Sequence, residues 1–188
     1  VMQLASEMGR LYDIEKLTFF RACECYEELE AAGKLDADAL IFVNSIASVS
    51  LSNEDWASYC EAHSAILPKL VVEITEEEEM NERELERKRN VPGSTGVFAL
   101  DDYGRGYSNG NSLLTIAPKY VKVDIAIIRG IDTDADKQQF LMTLIDYAHP
   151  RGVQVLAEGV ETLSELRKVL EMGVDLLQGY CLAPPAAE

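Results

Sequence analysis

Asp101 and Asp102 stand side by side at the end of an apolar run, in "FALDDYGRGYSNG", and three glycines follow within eight residues. Neighbouring carboxylates repel each other, and carboxylates leave water only where positive charge offsets their desolvation. The pair therefore calls for a cation. Gly104 and Gly106 suit the same purpose, because glycine lets a loop turn sharply just past a site and approach a ligand closely.

The same placement recurs along the chain. The run "ALIFVN" ends at Asn44, "KLVVEIT" reaches Glu73, "YVKVD" carries Lys122 and Asp124, "VQVLAEG" reaches Glu158 and "VDLLQG" reaches Gln178. In a parallel α/β fold such strand ends lie on one face, where ligands bind. Side-chain alternation puts Tyr120, Lys122 and Asp124 on one side of their strand, and Val97, Ala99 and Asp101 on one side of theirs. Carboxylate and amide oxygens suit Mg²⁺ or Mn²⁺ rather than zinc or copper. Two adjacent aspartates can serve two ions ~4 Å apart, the spacing of two-metal hydrolysis. "GRGYSN" lacks the third glycine of a dinucleotide fingerprint, so a Rossmann reading is rejected.

The elements that must position these residues alternate between strand and helix. The uniformly apolar strands predict a parallel sheet covered by helices. Six strands are expected, two short of a closed eight-stranded barrel. A long helix is expected over roughly Leu11 to Ala32, and the opening "VMQLASEMGRLYDIEK" reads as a helix start. Ser52 or Asn53 is the expected cap of the helix that follows the first strand. In "QQFLMTLIDYAH" the apolar stripe is Phe140, Leu141, Leu144, Ile145 and Ala148. In "TLSELRKVLEMG" Thr162 and Glu165 form a capping box, Leu163, Leu166 and Leu170 the apolar face, and Gly173 the stop. The stretch Glu76–Arg89 reads as a solvated helical face with the i,i+4 pairs Glu79–Arg83 and Glu84–Lys88, Glu76 being a possible exception.

Composition narrows the function classes. The 188 residues include 33 acidic and 17 basic ones, a net charge of −16. That balance repels nucleic acid polymers and anionic membrane surfaces. No apolar run approaches the ~18 residues of a membrane span, and no signal peptide is evident. Cys23, Cys25, Cys60 and Cys181 show no zinc spacing with His63 or His149 and read as reduced thiols of a cytoplasmic protein. The length suits one domain over residues 1–188, and a first residue other than Met suggests a piece of a longer protein.

Six segments, "FVNSIAS", "LPKLVVEITE", "ALDDYGRGYSN", "YVKVD", "AEGVET" and "QGYCLAPP", resemble in order and spacing the motifs of the EAL domain, the bacterial phosphodiesterase that opens cyclic di-GMP to linear pGpG. The resemblance implies an α/β fold of the modified TIM-type barrel, incomplete at the N-terminus, and two Mg²⁺ or Mn²⁺ ions. It makes Asn44, Glu73 and Asp101 ligands of the first metal, with Asp101 shared with a second that Asp102 also holds. It makes Lys122 the group that orients the attacking water and Glu158 the general base. Glu161 and Gln178 become supporting residues near the second metal, Asp124 a site carboxylate beside the lysine, and Glu76 a brace for the loop after the double aspartate. The implied partners are cyclic di-GMP, a second copy in a homodimer, and an upstream sensor or GGDEF-type domain, with no membrane contact by this domain.

Two departures stand out. The family's Glu-Ala-Leu strand, with its metal-binding glutamate, does not occur in this sequence, so the chain as it stands is expected to be weak or inactive in catalysis. Arg105 replaces a small residue in the glycine loop, where it either contacts phosphate or reaches solvent, and Asn109 replaces a common serine. The alternative to an enzyme is a receptor or interaction module that binds cyclic di-GMP without cleaving it. Retention of Glu73, Asp102, Lys122 and Glu158 favours the enzyme.

Overall fold

A computed structural model describes residues 2–75, 82–91, 93, 95–106 and 110–184. The chain divides into two compact units, Val1–Phe98 and Ala99–Glu188.

The first unit opens with α1 (Met2–Glu7) and α2 (Leu11–Ala31). The opening is helical and the long helix falls where expected, the two separated at Gly9, which sits in the left-handed region at φ 66°. Then come β1 (Ile41–Asn44), α3 (Asn53–Ala62), β2 (Leu70–Thr75) and α4 (Glu82–Arg89). Ser52 caps α3, its hydroxyl accepting from the Asp55 N–H. β1 and β2 pair in parallel, with Asn44 in register with Glu73. Phe19 of α2 meets Trp56 and Tyr59 of α3 edge-on at 5.3 and 5.8 Å between ring centres, the arrangement that ring quadrupoles favour. Those rings, and with them Cys23, Leu67, Leu70 and Ile74, belong to the buried core, each at most 8% exposed.

One expectation for this unit fails. α4 is not a purely solvated face: Leu85 and Lys88 are buried, and Lys88 pairs with Glu15 of α2 at 2.6 Å rather than with Glu84. The i,i+4 spacing permits the Glu84 pair, but a carboxylate as buried as Glu15 needs a counter-charge, and the lysine stem is long enough to bring one. Glu79 lies outside the described residues.

The second unit is built on β3 (Val97–Tyr103, its first two residues falling in the first unit), α5 (Gly110–Ile116), β4 (Tyr120–Val123), α6 (Ile125–Ile128), α7 (Ala135–Ala148), β5 (Gln154–Ala157), α8 (Leu163–Met172) and β6 (Leu176–Leu177). β3, β4, β5 and β6 pair in parallel in chain order. All four residues of β4 are buried, as expected of a strand covered on both faces. On α7 Leu141, Leu144, Ile145 and Ala148 are buried and Phe140 half-buried.

α8 begins and ends as its sequence predicts, with the Thr162–Glu165 capping box and Gly173 at φ 87°. Its buried face is different. Leu163 and Leu170 are 74% and 54% exposed, while Glu165 and Val169 are buried. The face turns because the Glu165 carboxylate serves three backbone donors at once: the N–H groups of Gly130, Glu161 and Thr162, at 2.9, 3.1 and 3.0 Å. Burial alone would push this carboxyl up; the three N–H groups and the Thr162 hydroxyl outweigh it and hold its pKa below the ordinary value.

A carboxylate with a lowered folded-state pKa stabilises fully above its unfolded pKa, and that stabilisation is lost as pH falls through the folded value. Glu165→Gln should therefore lower stability by about 1–3 kcal/mol at neutral pH in urea unfolding. The gap between variant and parent should narrow as pH falls below the usual glutamate range. A gap of the same size at all pH values would show that the charge is not what matters.

Candidate active site

In the first unit the parallel register places Asn44, the last residue of β1, next to Glu73, two residues before the end of β2. Glu73 is 5% exposed and Asn44 is open to solvent. The residues just past Asn44 are fastened down: the Ser45 N–H donates to the Glu73 carbonyl at 2.9 Å and the Ile46 N–H to the Glu15 carboxylate at 2.8 Å.

In the second unit three predicted residues converge. One carboxylate oxygen from each of Asp101, Asp102 and Glu158 lies within 4.8 Å of the others. Simple alternation along β3 would send Asp101 and Asp102 to opposite faces. The strand avoids this through a register shift against β4 between Leu100 and Tyr103 and a left-handed φ of 56° at Asp102. Aspartate tolerates that conformation better than most side chains, and a bulge of this kind re-aims a side chain.

Lys122 projects from β4 into the cluster. Its Nζ lies 2.9 Å from Asp101 Oδ1 and 2.9 Å from Glu158 Oε1, with the lysine side chain only 7% exposed. Asp102 has a raised pKa, chiefly through burial and then through the charge of Asp101. The Arg105 guanidinium, 3.3 Å from Asp102 Oδ2, opposes that shift, and hydrogen bonding with Asp124 adds to it. Asp124 is buried, and its Oδ1 accepts the Ala126 N–H that starts α6.

Other predicted residues sit apart from this cluster. Glu161 pairs with Arg129, and exposed Gln178 contributes its backbone, the carbonyl accepting the Val160 N–H at 3.1 Å. Glu76 and Asn109 lie outside the described residues. Arg129, Glu165, Glu15 and Lys88 were not singled out in the sequence as parts of a site. The one hint was Glu165 in its capping box, since a glutamate there accepts backbone N–H groups.

The donor set fits a hard divalent cation. It offers carboxylate oxygens within a few ångströms of each other, with no thiolate or imidazole among the three. Lys122 offsets part of their repulsion, and the surplus of negative charge is what a divalent ion neutralises.

The EAL domain model matches residues 1–185, and this chain belongs to the EAL domain family. PdeG of Escherichia coli, a probable cyclic di-GMP phosphodiesterase, is 32% identical over 118 residues, which make up 62% of this chain and 23% of PdeG. A standalone EAL protein of Vibrio cholerae in its c-di-GMP bound form has a TM-score of 0.78 at 24% identity, covering 98% of this chain and 79% of that one. BlrP1 of Klebsiella pneumoniae, solved as a manganese and cyclic di-GMP complex, has a TM-score of 0.75 at 23% identity, covering 89% of this chain and 44% of that one. These likenesses bear out the expected fold class, α/β of the modified TIM-barrel type. The chain spans only 23% and 24% of the lengths of the curated relatives PdeG and PdeD. Among the described residues no helix is long and apolar enough to cross a membrane.

The loop that carries Glu158 has little room to change. A Cβ at Gly179 would come within 2.2 Å of the Val160 carbonyl oxygen and 2.3 Å of its nitrogen. Backbone cannot yield as a side chain does, so Gly179→Ala should cost about 2 kcal/mol or more. Thermal unfolding measures this directly. An unchanged midpoint would show that the loop repacks freely.

Proposed function

We propose that this chain is the phosphodiesterase domain of a cyclic di-GMP signalling protein and hydrolyses the cyclic dinucleotide to linear pGpG. The observation that carries the reading is the Lys122 ammonium, 2.9 Å from both Asp101 and Glu158 in a three-carboxylate cluster, in a chain of the EAL family. The phosphodiesterase names of its relatives and the ligand-bound structures of its neighbours support it.

Asn44 and Glu73 in the first unit, and Asp101 and Asp102 in the second, are the residues proposed to hold Mg²⁺ or Mn²⁺. Two bound ions would supply positive charge to the phosphodiester oxygens and make water more acidic. Glu158 takes the proton from the attacking water, and Lys122, fixed between two carboxylates, orients that water and faces the charge growing on phosphate. In-line attack forms one P–O bond to water and breaks the P–O3′ bond. The leaving 3′ oxygen takes up a proton, so one cycle of the substrate is opened. Arg105, beside Asp102 and 60% exposed, would on this reading meet a ligand phosphate or else reach solvent. Asp124, Glu161, Gln178 and Glu76 are supporting residues on this reading. The greater length of the relatives leaves room for sensor or GGDEF-type domains, consistent with a cytoplasmic signalling module.

Chromatography tests the reading. Cyclic di-GMP is incubated with Mg²⁺ or Mn²⁺ and the chain alone, and with the chain extended at its N-terminus by a family Glu-Ala-Leu strand. The linear dinucleotide should accumulate with the extended chain and only weakly, if at all, with the chain alone. Ligand that is bound yet intact in both would make the domain a receptor.

Within the active form, Lys122→Ala should abolish turnover and leave metal binding largely in place; loss of folding instead would remove Lys122 from its catalytic role. Glu158→Gln should retain the ligand and lower turnover by about 10²–10⁴-fold, the usual scale of general-base loss. Turnover equal to the parent's would rule Glu158 out as the base.

A further inference from the structure

α4 has the sequence ERELERKR, seven charged residues and one leucine, yet its Lys88 is 2% exposed and the Glu15 that it meets is 1% exposed. Taking both charges out of water costs several kcal/mol, and well-packed apolar side chains in their place are often as stable or more so. Stability alone is therefore a poor reason for this pair. What an ion pair does, and an apolar pair cannot, is hold polar atoms in fixed places.

The atoms held are those of the two residues that follow Asn44. Glu15 Oε1 accepts the Ser45 hydroxyl at 2.6 Å, and Oε2 accepts the Ile46 N–H at 2.8 Å. Lys88 Nζ donates to the same Oε1 at 2.6 Å and to Ser45 Oγ at 2.6 Å. The Ser45 N–H is bonded to the carbonyl of Glu73, the residue in register with Asn44. Strand β1 is only four residues long, so the direction in which Asn44 leaves it is set by how Ser45 and Ile46 are held.

We infer that Lys88 and Glu15 are positioning residues for Asn44, fixing through Ser45 and Ile46 the strand end that presents this amide, beside Glu73, to a divalent cation. The inference rests on the proposed role of Asn44 as a metal ligand. Groups behind a metal ligand commonly govern affinity by about 10–100-fold, because ligands must be held to within a fraction of an ångström.

The test is a mutant cycle on the whole chain, read by Mn²⁺ calorimetry together with circular dichroism and thermal unfolding. Glu15→Gln with Lys88→Met removes both charges at nearly constant volume. This double variant should fold, and its Mn²⁺ affinity should fall by about 10-fold. Asn44→Ala should fall by a similar factor, and the triple variant no further than Asn44→Ala alone, because all act on one ligand. A folded double variant with unchanged Mn²⁺ affinity, or a triple variant whose losses multiply, would overturn the inference.

Where the double variant fails to fold, Ser45→Ala carries the same cycle. It deletes a single hydroxyl and should weaken Mn²⁺ binding by a smaller factor that vanishes in the Asn44→Ala background. Full Mn²⁺ affinity in Asn44→Ala would overturn the ligand role and the inference together. Absence of product from the chain extended by the Glu-Ala-Leu strand, while the cycle behaves as stated, would count against the catalytic reading alone and leave the positioning one standing.

Discussion

Mutual repulsion among the carboxylates at the strand ends is the constraint on which the second unit depends. Oxygens of Asp101, Asp102 and Glu158 are brought within 4.8 Å of one another, where like charges in a poorly solvated place raise each other's energy. Lys122 bridges two of them from a strand whose every residue is buried. Arg105 reaches the third from solvent, where water weakens its effect. The compensation is incomplete: burial and the charge of Asp101 still hold the Asp102 pKa above its ordinary value. A cluster of this kind costs fold stability, and the deficit has to be made up by packing around it. The wholly buried Val121 and Val123, either side of Lys122, and Val155 and Ala157 on the neighbouring strand do that.

Much of this was legible in the sequence, for a physical reason. A buried parallel strand reads as a short apolar run, and a polar residue that ends such a run is conspicuous against it. Asn44, Glu73, Asp101, Lys122 and Glu158 were all found that way. The helix caps were equally visible, because Ser52 and Thr162 act through bonds to residues a turn away, and local chemistry is written locally. The bulge at Asp102 was not visible. Alternation along a regular strand separates neighbouring aspartates, and only a shift in register against β4 brings them to one side.

The misreadings share a cause. The spacing of residues within α4 and within α8 records what a helix prefers in isolation and not what its neighbours need. On α8 the leucines at positions 163 and 170 look like the core-facing stripe, but Glu165 turns inward to accept, beside the N–H groups of Glu161 and Thr162 just before the helix, that of Gly130, 35 residues away. On α4 the Glu84–Lys88 spacing is satisfied by any exposed helix, whereas the buried carboxylate of Glu15, 73 residues away in the chain, requires a cation. The bonds to Gly130 and Glu15 leave no trace in a window of ten residues.

Seen together, Glu15 and Glu165 are two uses of one device. Each is a buried glutamate borne on a helix, and each accepts backbone N–H from the loop after a strand, one group (Ile46) just past Asn44 in one unit and two (Glu161 and Thr162) just past Glu158 in the other. Each also has a cationic neighbour, Lys88 at 2.6 Å and Arg129 at 3.9 Å. The carboxylate suits this position better than an amide. It offers two acceptor oxygens and no donor, so both can be turned toward N–H or hydroxyl groups of a loop that has no strand partner there, and bonds to an ionised acceptor are roughly twice as strong as neutral ones. The strand sets where a candidate site residue emerges, and the glutamate fastens the backbone of the loop that follows.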